Sequence, residues 1–252
     1  MIRLICNEQN QGVMRNFFGA VAKSNGKYLA FCDSDDLWSD PDKLTKQLKY
    51  LENNQDCMMV YHGYINKISD NLPSSQLSQF EKPINQILYT PQTSTMMVRG
   101  VLRDLINVNV VNESNILNDQ YLRFLLKDKG YFECLHDIKP NIRIVRENSI
   151  YSTVNKLSKK RNALHSWQTF YKYHGYGKNQ RYLSQKVNGI TSSVKWLEFK
   201  EDKNLKKLWI AVLFDLKSGM FLRKIWANIK RALLNPLVYL KRRFVDNRSD
   251  YH

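Results

Sequence analysis

Apolar and polar positions along this chain alternate between two periods. Ile2 to Cys6 reads as a short strand. Residues 11 to 24 set Val13, Phe17 and Val21 on one face, with Met14 and Phe18 beside them, as an amphipathic helix does, and Asn25-Gly26 closes it. Tyr28 to Cys32 is an unbroken apolar run of strand length, expected to be buried. A helix is expected from Pro41, with Ser39 or Asp40 as its cap and Leu44, Leu48 and Leu51 turned inward. Cys57 to Tyr64 reads as a further strand, and residues 66 to 83 as a polar, proline-punctuated surface connection. Thr93 to Arg99 alternates like a half-buried strand. Asn118 to Leu126 is a helix whose core face is Leu122, Leu125 and Leu126, closed by Lys129-Gly130, and Asn141 to Arg146 alternates as a strand. Strand and helix in this order predict an α/β fold, a mixed and largely parallel sheet with covering helices.

Beyond about residue 155 the texture changes. Lys156, Lys159, Lys160 and Arg161 open a basic, helix-prone region rich in aromatic residues. Two regions are expected: 1–155, the α/β part, and 156–252, a basic amphipathic helical extension. In the extension Trp209, Ile210, Val212, Leu213 and Leu216, and then Phe221, Leu222, Ile225, Trp226 and Ile229, recur at helical spacing with Lys217, Arg223, Lys224, Lys230 and Arg231 between them. An anionic membrane surface is one candidate partner for such helices. Packing on the α/β part with a solvated basic face is the plain alternative.

Charge and cysteine usage narrow the setting. The chain of 252 residues has 39 Lys and Arg against 23 Asp and Glu, a net +16, so an anionic partner is expected. No nucleic-acid reading motif accompanies the basic region, which disfavours nucleic acid. Cys6, Cys32, Cys57 and Cys134 are too far apart to form a metal-ligand pair, and buried reduced thiols in a cytoplasmic protein are the default. The N-terminus turns polar too soon for a signal peptide, and no apolar run of about 18 residues exists to span a bilayer.

Chemistry enters at Asp33-Ser34-Asp35-Asp36, immediately after the Tyr28 to Cys32 run. A solvated turn is the plain reading of such a cluster. A divalent cation carrying a phosphate-bearing ligand is the other, because magnesium is commonly held by one or two carboxylates plus phosphate oxygens. The helix start at Pro41 has cap candidates of its own, so these aspartates are not needed as caps.

In their order and spacing, Asn10-Gln11-Gly12, Arg15-Asn16, Ser24-Asn25-Gly26-Lys27-Tyr28, Asp33-Ser34-Asp35-Asp36-Leu37-Trp38 and Pro41-Asp42-Lys43-Leu44 resemble the central part of family 2 glycosyltransferases. The resemblance is strong to about residue 62, weaker to about 152 and absent afterwards. It implies a GT-A-like fold, a nucleotide-sugar donor, a saccharide or lipid-linked acceptor, and transfer with inversion. By that resemblance Asp33, Asp35 and Asp36 hold magnesium or manganese, Asp33, Arg15 and Lys43 meet the donor, and Asp119 is the general base. Asp119 also suits a helix cap. Family members carry roughly fifty further residues ahead of this point, with the first strand and an aspartate for the donor base, so the α/β part is expected to be N-terminally incomplete. Relatives often have a histidine two residues after the arginine matched by Arg143; here that residue is Val145. Cell-surface polysaccharide synthesis, by a cytoplasmic protein peripheral on the inner membrane face, is the setting the resemblance implies. An inactive fragment serving as an interaction or membrane-associated module is the alternative.

Overall fold

A computed structural model describes residues 3–68, 86–115, 118–145 and 154–219. The chain forms two compact units, 1–173 and 174–252. In the first unit the described elements are α1 (Gly12–Ala22), β1 (Tyr28–Ala30), β2 (Asp36–Leu37), α2 (Lys43–Asn53), β3 (Cys57–His62), β4 (Tyr64–Ile68) and β5 (Ile87–Leu88). After a 3-10 turn (Thr93–Thr95) come β6 (Met97–Arg99), α3 (Leu102–Leu105), α4 (Val108–Glu113), α5 (Asn118–Leu126), β7 (Tyr131–Leu135), β8 (Asn141–Val145) and α6 (Lys156–His174). The second unit contains α7 (Asn179–Asp202) and α8 (Leu205–Ser218).

The strands form two four-stranded sheets, ordered β1-β6-β3-β7 and β2-β8-β4-β5. The architecture is mixed α/β, as expected, but the sheets are not largely parallel. Among the described strands β3 with β7 and β4 with β8 run parallel, while β1 with β6, β3 with β6, β2 with β8 and β4 with β5 are antiparallel. Gly63 separates β3 from β4, so a single apolar run feeds both sheets. A Cβ there would sit 2.8 Å from the Ile87 side chain, which leaves room for glycine alone.

Beneath the first sheet lies a core of Leu51, Cys57, Val60, Met97, Leu135 and Ile138. Between the helices Phe18, Tyr121, Phe170 and Trp167 form an aromatic chain with ring centroids 5.4, 4.8 and 5.1 Å apart. Contacts of this kind add about 0.5–1.5 kcal/mol each beyond their buried area. They tie α6 to α5, so the first compact unit runs past the expected boundary at 155/156 and includes α6.

Several local expectations change. Residues 3–7 are exposed and take no regular structure in place of the expected strand; Met1 and Ile2 lie outside the described residues. In β1 only Leu29 is buried, because β1 is the edge of its sheet and pairs with β6 alone. On α1, Met14, Phe18 and Val21 are buried while Val13 is exposed, so the inner face is rotated by about one position. On α2 the inner face is Lys43, Gln47 and Leu51, with Leu44 and Leu48 turned outward. Neither Ser39 nor Asp40 caps α2: the Ser39 hydroxyl donates to the Pro140 carbonyl at 2.6 Å, and Asp40 accepts from Asp42 N and Lys139 N at 2.9 Å each. Cys6 and Cys32 are exposed and Cys57 is buried; all four cysteines are free. The expected connection at 69–83, residues 146–152 and the helical pattern beyond 219 lie outside the described residues.

Candidate active site

The acidic turn joins the two sheets. Asp36 N donates to the Asp33 carbonyl at 3.0 Å, closing the turn. β2 then carries Asp36 into the second sheet opposite Arg143, with Leu37 opposite Ile142. Asp33 lines a cleft of about 340 Å³ walled by α1 and β1, together with Asn16, Phe17, Leu29, Phe31 and Thr93. Phe17 and Phe31 stack there with centroids 5.0 Å apart.

Electrostatics connect this turn to residues far along the chain. Burial raises the Asp33 carboxyl above the usual aspartate range, the negative charges of Asp36 and Asp35 raise it further, Arg143 opposes them, and Asp119 adds a smaller push upward. Asp119, 86 positions later, therefore lies within electrostatic reach of the turn. It sits in the first turn of α5 with its carboxylate 3.3 Å from the Arg123 guanidinium, one helical turn on, in a half-buried pair. That pair fixes the side-chain direction more than it stabilises the fold, since partly exposed pairs contribute about 0–1 kcal/mol.

The remaining expected site residues take other partners. Arg15 donates to the Asn112 carbonyl at 3.2 Å, bracing α1 on α4, while its neighbour Asn16 faces the cleft. Lys43 is buried: its ammonium donates to the Ser94 carbonyl at 2.7 Å and lies 3.5 Å from the Trp38 ring centroid. Desolvation pushes the Lys43 pKa down to about 7, against the pull of Cys32 and Asp36. Lys43 thus reaches inward, under Trp38, rather than out to a donor phosphate.

A buried polar network beneath the turn was not foreseen. The 3-10 turn at Thr93–Thr95 breaks the strand before β6 and leaves the Ser94 and Thr95 carbonyls without ladder partners, and buried carbonyls need donors. Ser94 O receives Trp38 Nε1 at 3.1 Å, Lys43 Nζ at 2.7 Å and Asn141 Nδ2 at 2.8 Å. Thr95 O receives Gln47 Nε2 at 2.8 Å and lies 3.0 Å from His62 Nδ1, whose Nε2 lies 3.0 Å from Asn141 Oδ1. Gln92 Nε2 donates to Asp36 Oδ2 at 2.8 Å, and the Ser94 hydroxyl donates to Gln92 Oε1. Burial pushes the His62 pKa down. These contacts explain the inverted face of α2, and they fix Asp36 from below. The one sequence signal was the polar triplet Thr93-Ser94-Thr95 beside the apolar Met96-Met97-Val98.

Among the described residues no three His, Cys, Asp or Glu side chains converge as a ready-made metal cluster. The donor set still suits a hard divalent cation shared with phosphate oxygens, because desolvation, and after it the like charges of Asp36 and Asp35, disfavour the Asp33 carboxylate, and a cation would offset both. Asp33 and Asp35 fit that role best. Asp36 is buried and one of its oxygens is taken by Gln92. The His136 ring lies tilted against Tyr89 with centroids 4.5 Å apart, and His165 Nε2 lies 2.8 Å from the Glu113 carbonyl, so neither joins the turn.

Residues 1–106 match the glycosyl transferase family 2 model. Over these residues the chain is similar to family 2 glycosyltransferases, and its fold is of the GT-A type. An uncharacterized protein of Mycobacterium tuberculosis is 40% identical over 62 residues, 25% of this chain and 18% of that protein. The putative teichuronic acid biosynthesis glycosyltransferase TuaG of Bacillus subtilis is 25% identical over 236 residues, 92% of this chain and 72% of TuaG. The crystal structure of residues 1–349 of S. aureus TarS in complex with UDP-GlcNAc has the same fold, with a TM-score of 0.50 at 13% identity over 84% of this chain and 62% of that one. The chain thus spans less than a fifth of the mycobacterial relative. The matched residues contain α1, the acidic turn and the 3-10 turn; Asp119, Asn141 and Arg143 lie beyond them.

Proposed function

We propose that this protein transfers a sugar from a nucleotide-diphosphate donor to an acceptor hydroxyl, with metal dependence and inversion at the anomeric carbon. The observation that carries the proposal is a cleft lined by Asp33, whose carboxyl feels the charges of Asp36, Asp35, Arg143 and Asp119. Asp33 and Asp35 would hold magnesium or manganese. When bound, the cation neutralises the donor diphosphate and stabilises it as a leaving group. Asp36, held by Gln92, fixes the turn that presents the other two carboxylates. Asp119, oriented by Arg123, takes the proton of the acceptor hydroxyl. The acceptor oxygen bonds to the anomeric carbon from the face opposite the diphosphate as the bond from that carbon to the diphosphate oxygen breaks, and the nucleoside diphosphate leaves with the electron pair.

A nucleotide-sugar donor is supported by the UDP-GlcNAc bound to TarS. TuaG's name supports a polysaccharide role; the acceptor in this proposal is a saccharide or lipid-linked saccharide, presented at an anionic membrane surface. Among the described residues no helix is long and apolar enough to cross a membrane; the proposal takes the apposition to be peripheral. The test is release of nucleoside diphosphate from a panel of nucleotide sugars with manganese, by wild type and by Asp119→Asn. The proposal expects turnover in the wild type and a loss of at least about 100-fold in the variant. A wild type that neither binds nor turns over any donor would end it, and an unchanged Asp119→Asn rate would remove Asp119 as the base.

A further inference from the structure

The helix α8 leaves one apolar stripe facing outward. It starts at Asn204, whose side chain accepts from Lys206 N at 3.0 Å, and stops at Gly219, in the left-handed region at φ 69°. Its buried residues are Ala211, Asp215 and Ser218, small or polar. Leu205, Trp209, Leu213 and Leu216 are 65, 69, 52 and 53% exposed. At 3.6 residues per turn these four fall within a sector of about 80°, on the side opposite the buried residues, and Lys206 and Lys217 follow within the next ~40°. A surface helix ordinarily buries its apolar stripe and presents its polar one. Here Leu208, Ile210, Val212 and Phe214 are half-buried, while a second apolar stripe stays outward, with a tryptophan in mid-stripe and lysines along one border.

Charge selects the occupant. The sequence after Gly219 adds eight Lys and Arg against two acidic residues. A second copy of this chain would bring the same lysines and the same basic tail to the stripe, so like charges would face each other. An anionic lipid surface supplies the opposite charge. It also offers the zone between headgroup and acyl chain in which tryptophan and leucine are stable while lysine reaches the phosphates.

We infer that the outward stripe of α8, Leu205, Trp209, Leu213 and Leu216 with Lys206 and Lys217 at its border, is the surface by which this protein docks on anionic membranes. The inference rests on the membrane-apposed part of the proposed function and names the element responsible for it.

The test uses the full chain and sedimentation with vesicles of phosphatidylcholine alone or mixed with phosphatidylglycerol. Wild type should pellet with the mixed vesicles, less so as salt rises. The double variant Trp209→Glu/Leu213→Glu should lose roughly tenfold or more of that partitioning, with an unchanged far-ultraviolet circular dichroism spectrum because both positions face solvent. Lys206→Gln/Lys217→Gln should lower binding less and flatten its salt dependence. Nucleotide-sugar binding in solution should be the same in all three proteins, which separates this inference from the transferase chemistry. Equal pelleting of wild type and Trp209→Glu/Leu213→Glu would overturn α8 as the docking element while leaving membrane apposition to the basic tail. Failure of the wild type to pellet would overturn both. A concentration-dependent dimer abolished by the same double variant would assign the stripe to a second copy and overturn the lipid assignment.

Discussion

Replacing Lys43 by methionine removes a buried ammonium but keeps most of the side chain's volume, and the consequence can be worked from the structure. Lys43 is 1% exposed, and desolvation pushes its pKa down from 10.5 to about 7. Between those two values the unfolded chain binds a proton that the folded protein releases, so this group makes stability rise with pH. Across pH 6 to 8 the unfolded lysine stays protonated while the folded one loses most of its charge. The folded state gains close to tenfold, or roughly 1 kcal/mol. In Lys43→Met that gain is absent, and Ser94 O keeps two donors, Trp38 Nε1 and Asn141 Nδ2. Urea denaturation of both proteins at pH 6, 7 and 8, followed by tryptophan fluorescence, reads the difference. Titration of groups common to both proteins largely cancels in that difference. Wild type should gain on the variant by about 1 kcal/mol over this range. A constant difference would mean that Lys43 keeps its charge throughout, and the account of a desolvated ammonium under Trp38 would be refuted.

Two further outcomes follow from single contacts. Asp40 is buried and accepts from Lys139 N, Asp42 N and Lys46 Nζ at 2.9 Å each, and the first of these contributes most to holding its pKa at about 2. Because the folded pKa lies below the unfolded 3.8, the stabilisation is complete above about pH 4 and is lost as pH falls towards 2. Asp40→Asn should cost about 2 kcal/mol at pH 7 in a urea titration and progressively less below pH 4; a cost independent of pH would contradict this. Gly130 closes the turn between α5 and β7, and a Cβ there would lie 1.9 Å from the Asp56 carbonyl oxygen, which also accepts from Tyr131 N at 3.1 Å. Gly130→Ala should lower the melting temperature by several degrees through backbone displacement, at least about 1 kcal/mol; an unchanged melting temperature would show that the turn can yield.

Much of the architecture was legible where periodicity and turn residues agreed. α1, α2, α5, β3 and β8 lie close to where their patterns placed them, and the acidic turn lies where the residue types pointed. Face assignments failed where buried polar groups outweighed apolar ones. Leu44 and Leu48 looked like the inner face of α2, yet Lys43 and Gln47 occupy it, because only donors could satisfy the Ser94 and Thr95 carbonyls. Nothing local to α2 reveals that demand, since it arises in a 3-10 turn some 50 residues away. The same holds for His62, Gln92 and Asn141, each unremarkable in sequence and joined only by the fold. The reach of Asp119 to Asp33 was suggested by resemblance, and its electrostatic basis appears only in three dimensions. The antiparallel share of the sheets was illegible because β1, β2, β5 and β6 span three residues or fewer, too few to show a period.

The central claim is that Asp33 and Asp35 grip a divalent cation together with a nucleotide diphosphate. Electron paramagnetic resonance of free manganese, titrated with wild type and with Asp33→Asn/Asp35→Asn in the presence and absence of UDP, addresses it without requiring an acceptor. The account predicts that UDP strengthens manganese binding by the wild type, with the free-ion signal depleted at about one ion per chain, and that the double variant loses at least about tenfold of that affinity. Equal depletion by wild type and variant, or none by either with UDP present, would contradict it.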